Sequence, residues 1–302
     1  MHPDAFSTHH PAVTLTFFVG VIVLCVLVQQ PVVQAVGLMG AMLYYLCLRG
    51  RDAGRLLAAM ALALIVLAAI NPLFNTLGDT VLFTYLGARP YTLEALAYGA
   101  STATMFVSVM LWFACYAQVM STDKFTYLFG RRAPALTLVL TMTLRLVPSY
   151  VRKARQISTA RRCVGLSMTQ GSVRERARDG ASLLSALTSW ALEGAVTTAD
   201  SMRSRGYGAR TSGDSSTPGR YLQCRFRMRD ALLLALMVAC VIVTCIALAS
   251  GALAVSYVPA IDIPALSPLG IGALVACTVL VLVPSVIDAK EAIAWRSSLS
   301  SI

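Results

Sequence analysis

The sequence predicts an all-α, polytopic helical membrane protein, with about six transmembrane helices and two long cytoplasmic helices. Three observations carry this. The 302 residues are 57% hydrophobic and only 13% charged, far too apolar for an ordinary soluble domain. Several apolar runs approach or exceed the roughly 17–25 residues that cross a bilayer as a helix. The basic charge is gathered in one block instead of being spread along the chain. A membrane β-barrel would instead show segments of about ten residues with alternating polarity, and none stands out.

The first apolar run, about 13–28, ends at Gln29-Gln30-Pro31. The amino terminus lacks the basic start of a secretory signal, so this run reads as a retained first span. The second span, about 32–48, ends at "RGRDAGR", and the third, about 56–70, is closed by Asn71-Pro72. The stretch "TVLFTYL" after it is too short to span and reads as re-entrant or interfacial. The fourth span covers about 95–119, the fifth about 231–250 and the sixth about 268–287. The chain thus divides into 1–120 with about four spans, 121–230 without one, and 231–302 with about two.

Residues 121–230 hold 19 of the 25 Lys and Arg against 7 of the 14 Asp and Glu, a net of +12 within a chain of formal charge +11. Such a block lies outside hydrocarbon, and its sign places it in the cytoplasm. Arg49, Arg51 and Arg55 put the second connection on the same side, while 29–31 and 251–267 carry no Lys or Arg. Both termini then fall in the cytoplasm.

Within the block, "APALTLVLTMTLRLVPSY" is apolar except for Arg145 and reads as a helix near the membrane surface, kinked or ended at Pro148. Pro148–Gly171 and Ser172–Gly206 read as long helices ended by glycine. Ser172 with Glu175 forms a capping-box pattern. Leu183, Leu184, Leu187, Trp190, Ala191 and Val196 fall near helical spacing, a stripe that faces something apolar. The stretch "YGARTSGDSSTPGRYLQ" reads as a flexible return to the fifth span.

Much chemistry is missing. The spans contain almost no ionisable residue of the kind that binds a coupling ion; Glu94, Asp262 and Asp288 only edge or flank them. His2, His9 and His10 cluster at the amino terminus and read as a solvated tail, not a metal cage. The eight cysteines form no CxxC pair and read as small packers and free thiols. There is no HExxH, GxSxG or P-loop, so no catalytic, cofactor or metal residue is assigned. Any energy for active transport must come from another chain. The basic residues Arg152, Lys153, Arg155, Arg174, Arg176 and Arg178 suit anionic lipid. Nucleic acid is a poor partner, because the helices lack interleaved aromatics. Arg205 stands apart, at a helix end beside Gly206 and Gly208. A guanidinium there can fork onto carboxylates or carbonyls of a partner, or simply complement the helix dipole.

Several stretches, in order, bring a family into view: "HHPAVTLTFF", "NPLFNTLGDTVLF", "RPYTLEAL", "DKFTYLFGRRAPALTLVLTMTLRLVP", "STARRCVG" and "TADSMRSRGYG". Over roughly 9–230 the chain resembles the transmembrane T component of energy-coupling factor (ECF) transporters, which includes the membrane component of cobalt importers. The resemblance implies a non-catalytic coupling subunit of an ATP-driven vitamin or metal-ion importer, in the plasma (inner) membrane of a bacterium. Its partners would be two cytosolic ABC-type ATPases, which hold the ATP, a small substrate-binding membrane subunit, and the lipid bilayer. Two coupling helices in this family each end in a short arginine-centred motif that docks on an ATPase. The second motif falls on Ser204-Arg205-Gly206. The first falls on Cys163-Val164-Gly165, with its nearest arginine at Arg162. Small residues of the second helix, Gly180, Ala181, Ser185, Ala186 and Gly194, allow close packing against the substrate-binding subunit. The competing readings are a membrane-embedded enzyme, for which no polar constellation can be assembled, and a membrane scaffold or receptor whose basic block binds lipid or another partner.

Overall fold

The computed structural model describes Phe6 and residues 9–75, 80–85, 89–130, 133–165, 172–207, 226–255 and 267–299. Nine α-helices are described: α1 (Pro11–Leu27), α2 (Pro31–Arg49), α3 (Gly54–Phe74), α4 (Leu93–Val119), α5 (Thr122–Gly130), α6 (Pro134–Cys163), α7 (Val173–Ser204), α8 (Met228–Ala249) and α9 (Pro268–Leu299). Two short strands, β1 (Val81–Tyr85) and β2 (Arg89–Thr92), stand between α3 and α4. The chain forms two compact units, Met1–Phe125 with Cys224–Ile302, and Thr126–Gln223.

The first unit holds the apolar helices. Five of them, α2, α3, α4, α8 and the Pro268–Lys290 part of α9, are long and apolar enough to cross a membrane. The sixth, α1, is apolar but has 17 residues, at the short end of the spanning range. The architecture is therefore an all-α polytopic membrane fold. Prolines open α1 and α2 at their first turns, where a missing N–H is no loss. Thr92 caps α4 by accepting the Ala95 N–H at 3.4 Å.

Lipid gives helices no hydrophobic reason to associate, so close packing must hold them together. An aromatic cluster supplies part of it. Phe17 and Phe18 of α1 meet edge-on at 5.2 Å, and both meet Trp112 of α4, which stacks on Tyr44 of α2 at 6.2 Å. Met237 of α8 and Leu280 of α9 are buried in the same core. Small residues supply the rest. A Cβ on Gly40 of α2 would collide with Val281 Cγ1 of α9, and one on Gly99 of α4 would sit 2.7 Å from Asn71 Cβ of α3. Helix α3 packs Leu57, Met60 and Leu64 against the core and turns another side outward: Leu62 and Ile65 are each 63% exposed, as suits a lipid-facing surface.

Four expectations change here. The third span does not stop at Asn71-Pro72, because α3 continues through Pro72 to Phe74. Asn75 donates its N–H to Asn71 O at 3.0 Å, so the ladder resumes past the proline. Within the "TVLFTYL" stretch Val81–Tyr85 forms β1, paired antiparallel with β2, so each strand's backbone finds its partner in the other. Pro90 is tolerated because both strands of a two-stranded ribbon are edges. Of the two alternatives at Pro148, kinked or ended, the second is overturned: helix α6 runs through that proline from Pro134 to Cys163. Nor are His9 and His10 part of a solvated tail. His9 Nδ1 lies 2.6 Å from Asp230 Oδ1 at the start of α8, and His10 caps α1 by accepting the Ala12 N–H. Phe6, fully buried, donates its N–H to Asp288 Oδ1 of α9 at 3.1 Å. This segment is thus fastened to both carboxy-terminal spans. His2 and Asp262 lie outside the described residues.

Among the described cysteines all are free: Cys25, Cys115, Cys240 and Cys277 are buried, and Cys47, Cys163 and Cys245 are exposed. Cys224 lies outside the described residues. Glu94 is buried in the first turn of α4, where it accepts the Thr80 hydroxyl.

Candidate docking site at the ends of the long helices

The second unit is built on α6 and α7. Helix α7 starts at the expected capping box: Ser172 Oγ accepts the Glu175 N–H at 3.3 Å, and the Glu175 carboxylate accepts the Ser172 N–H at 2.8 Å. The backbone N–H of Ser172, and then its hydroxyl, hold the Glu175 carboxyl below the usual range. No residue of α7 is buried. Leu183, Leu187, Trp190 and Ala191 are half-buried, whereas Leu184 and Val196 are exposed, so only part of the expected stripe finds a partner in this chain.

That partner is α6. Arg161 pairs with Asp179 at 3.4 Å, Tyr150 meets Trp190 edge-on at 5.4 Å, and Lys153 Nζ lies 5.7 Å from the Trp190 ring centroid. From the first contact to the second, an equal step back along α6 matches a step forward along α7. The two helices therefore run antiparallel. At Gly194 the surface of α7 is open: a Cβ there would meet nothing within 4 Å. Lys153, which by sequence suits anionic lipid, also joins Arg161 in holding the helix pair together.

Antiparallel pairing sends the carboxy-terminal ends of α6 and α7 in opposite directions. At a rise of about 1.5 Å per residue, they lie roughly 45 Å apart along α7. The two ends share one backbone form. Val164 (φ −98°, ψ 10°) and Arg205 (φ −85°, ψ 8°) are the cap residues. Gly165 and Gly206 follow at φ +80° and +78°, a left-handed conformation that favours glycine. Gly165 donates to Arg162 O at 3.1 Å, and Gly206 to Arg203 O at 3.0 Å. Tyr207 adds a bond to Met202 O at 3.0 Å, which completes a Schellman motif. The first long helix thus ends at Gly165 and not at Gly171, which lies outside the described residues.

This geometry places every candidate residue. Arg162, Cys163, Val164 and Gly165 lie at one end, and Ser204, Arg205 and Gly206 at the other; all are exposed. Superposing the caps pairs Gly165 with Gly206, Val164 with Arg205, Cys163 with Ser204, and Arg162 with Arg203. Sequence reasoning misses Arg203, although "RCVG" and "RSRG" carry the correspondence openly. Arg162, Arg203 and Arg205 form no ion pair among the described residues. The small residues of α7 do not share one face. By the helical period, Gly180, Ala186 and Gly194 lie on or beside the side that carries Asp179 and Trp190, while Ala181 and Ser185 lie opposite. Gly180 is half-buried, and Ala181, Ser185, Ala186 and Gly194 are exposed. Among the described residues no group of three or more His, Cys, Asp or Glu could hold a metal ion.

An all-α polytopic membrane unit and a long antiparallel helix pair with exposed, arginine-bearing ends define a multi-helix membrane protein with a basic helical arm. Residues 4–215 match the family described as "Cobalt transport protein" (CbiQ). The chain belongs to that family, the T components of ECF transporters, and is a membrane component of cobalt/ECF-type transport. No curated protein matches the chain. The family match includes α1 to α7 and both cap motifs, and stops before α8 and α9.

Proposed function

We propose that this chain is the coupling subunit of an ATP-driven ECF-type importer, without catalysis of its own. In this reading the ends of α6 and α7 dock on two cytosolic ABC-type ATPases, which bind and hydrolyse the ATP. The basic second unit faces the cytoplasm, and so do both termini. A small membrane subunit carries the vitamin or metal ion and takes its motion from the long helices. The observation that carries this is the pair of matching glycine caps at opposite ends of one antiparallel helix pair. Such an element presents two exposed tips to two partners at once, far enough apart for each partner to have its own. Leu136, Leu140, Leu144, Val147 and Val151 form an exposed apolar row on α6 that suits a membrane-embedded neighbour. The small residues Gly180, Ala186 and Gly194 would let that neighbour approach closely.

The test is retention of co-expressed ATPases on the tagged full-length chain, comparing wild type with Arg205→Lys, Arg205→Glu and Arg162→Glu. The coupling reading expects both Arg205 variants to lose ATPase, because a lysine keeps the charge but not the planar fork. A scaffold that merely binds anionic lipid expects Arg205→Lys to behave as wild type. Wild type that retains no ATPase would overturn the coupling reading.

A further inference from the structure

The two tips share a backbone and differ in one side chain. Where one presents Arg205, the other presents Val164, 77% exposed at the equivalent cap position. Arg162 and Arg203 occupy equivalent positions, so the shared cation sits further in along each helix. We infer that the two tips seat in chemically different sockets, an apolar one for Val164 and a hydrogen-bond-accepting, acidic one for Arg205, and that their two ATPase partners are therefore different chains. This inference rests on the docking reading above.

The reason is one of complementarity. If both partners were the same chain, a single socket would have to accept both side chains. An acceptor that forks with the Arg205 guanidinium would, in the other copy, face the two methyl groups of Val164. That acceptor would be desolvated and left unpaired, and an unsatisfied buried polar group is penalised more than a satisfied one is rewarded. Conversely, an apolar pocket shaped for Val164 would strip water from Arg205 without replacing its hydrogen bonds. Nothing in the backbone explains the difference, because the cap torsions and the bonds Gly165 to Arg162 O and Gly206 to Arg203 O agree between the tips. The asymmetry lies in the side chains that a partner would touch. Specificity of this kind works by rejection as much as by attraction, since each tip is a poor fit for the other's socket.

The test uses the full-length chain in its own host cells, with a benzophenone amino acid at Ala160 in one variant and at Ser201 in another. These are equivalent exposed positions about one turn before each tip. Crosslinked ATPases are then identified by peptide mass. The expected result is one ATPase sequence from position 160 and a different one from 201. Val164→Arg should lower the first crosslink at least tenfold and leave the second, and Arg205→Val should do the reverse. If both positions trap the same ATPase sequence, or if Val164→Arg strengthens the crosslink from 160, the inference falls while the docking reading stands. If neither position traps an ATPase and none co-purifies, the docking reading falls and takes the inference with it.

Discussion

Tyr150 of α6 meets Trp190 of α7 edge to face, with ring centroids 5.4 Å apart and ring planes at 87°. Lys153 approaches the same indole. With the Arg161–Asp179 pair, this contact sets the antiparallel register of two helices that bury little else against each other. Trp190→Ala is expected to remove about 1–2 kcal/mol from the helix pair. Hydrogen exchange of the α7 amides between Leu187 and Glu193 should quicken roughly five- to thirty-fold, and Trp190→Phe should restore most of the protection. Unchanged exchange in Trp190→Ala would show that the register is held elsewhere.

The glycine caps give a second expectation. A Cβ added at Gly165 or Gly206 would have nothing within 4 Å, so alanine there meets only the backbone penalty of the left-handed region. That penalty is about 1–2 kcal/mol. Gly206→Ala should fray the last turn of α7, read as faster exchange at the amides of residues 206 and 207, whose bonds to Arg203 O and Met202 O define the cap. Gly206→Asn should fray it less, because asparagine tolerates this conformation better. Gly165→Ala should act in the same way on α6 without affecting α7.

In the membrane unit, Gly40 is a place where α2 and α9 approach tightly against a stiff side chain. Gly40→Ala is expected to destabilise the unit by about 1–3 kcal/mol through overpacking against Val281. Adding Val281→Ala should recover part of that loss, a non-additive pair read from thermal unfolding in detergent. Strictly additive losses in the double variant would place the strain elsewhere.

Local features are legible in the sequence, and distant pairings are not. The Ser172–Glu175 box and the glycine end at Gly206 depend on neighbours within one turn, so residue type alone points to them. The apolar spans follow from composition. Asn71-Pro72 misleads as a stop, because proline ends a helix only when nothing resumes the ladder beyond it; Asn75 does so here. His9 reads as a tail residue because its partner, Asp230, lies 221 positions away. The half-buried part of the α7 stripe is visible as a period, but its match to Tyr150 and Lys153 depends on a register that periodicity does not carry. Arg203 is overshadowed by Arg205, although counting back three residues from each capping glycine already pairs it with Arg162; the matching caps make that pairing plain.

The coupling of ATPase closure to the long helices is tested most directly by a distance between their tips. Nitroxide labels at Ala160→Cys and Ser201→Cys, in a full-length chain whose exposed cysteines are replaced, report that distance by electron–electron double resonance. The chain is reconstituted with its ATPases and a hydrolysis-resistant ATP analogue is added. The account predicts a shift of several ångströms when the analogue binds, and no shift when the ATPases are left out. A tip-to-tip distance that stays fixed in a complex that binds and hydrolyses ATP would contradict it.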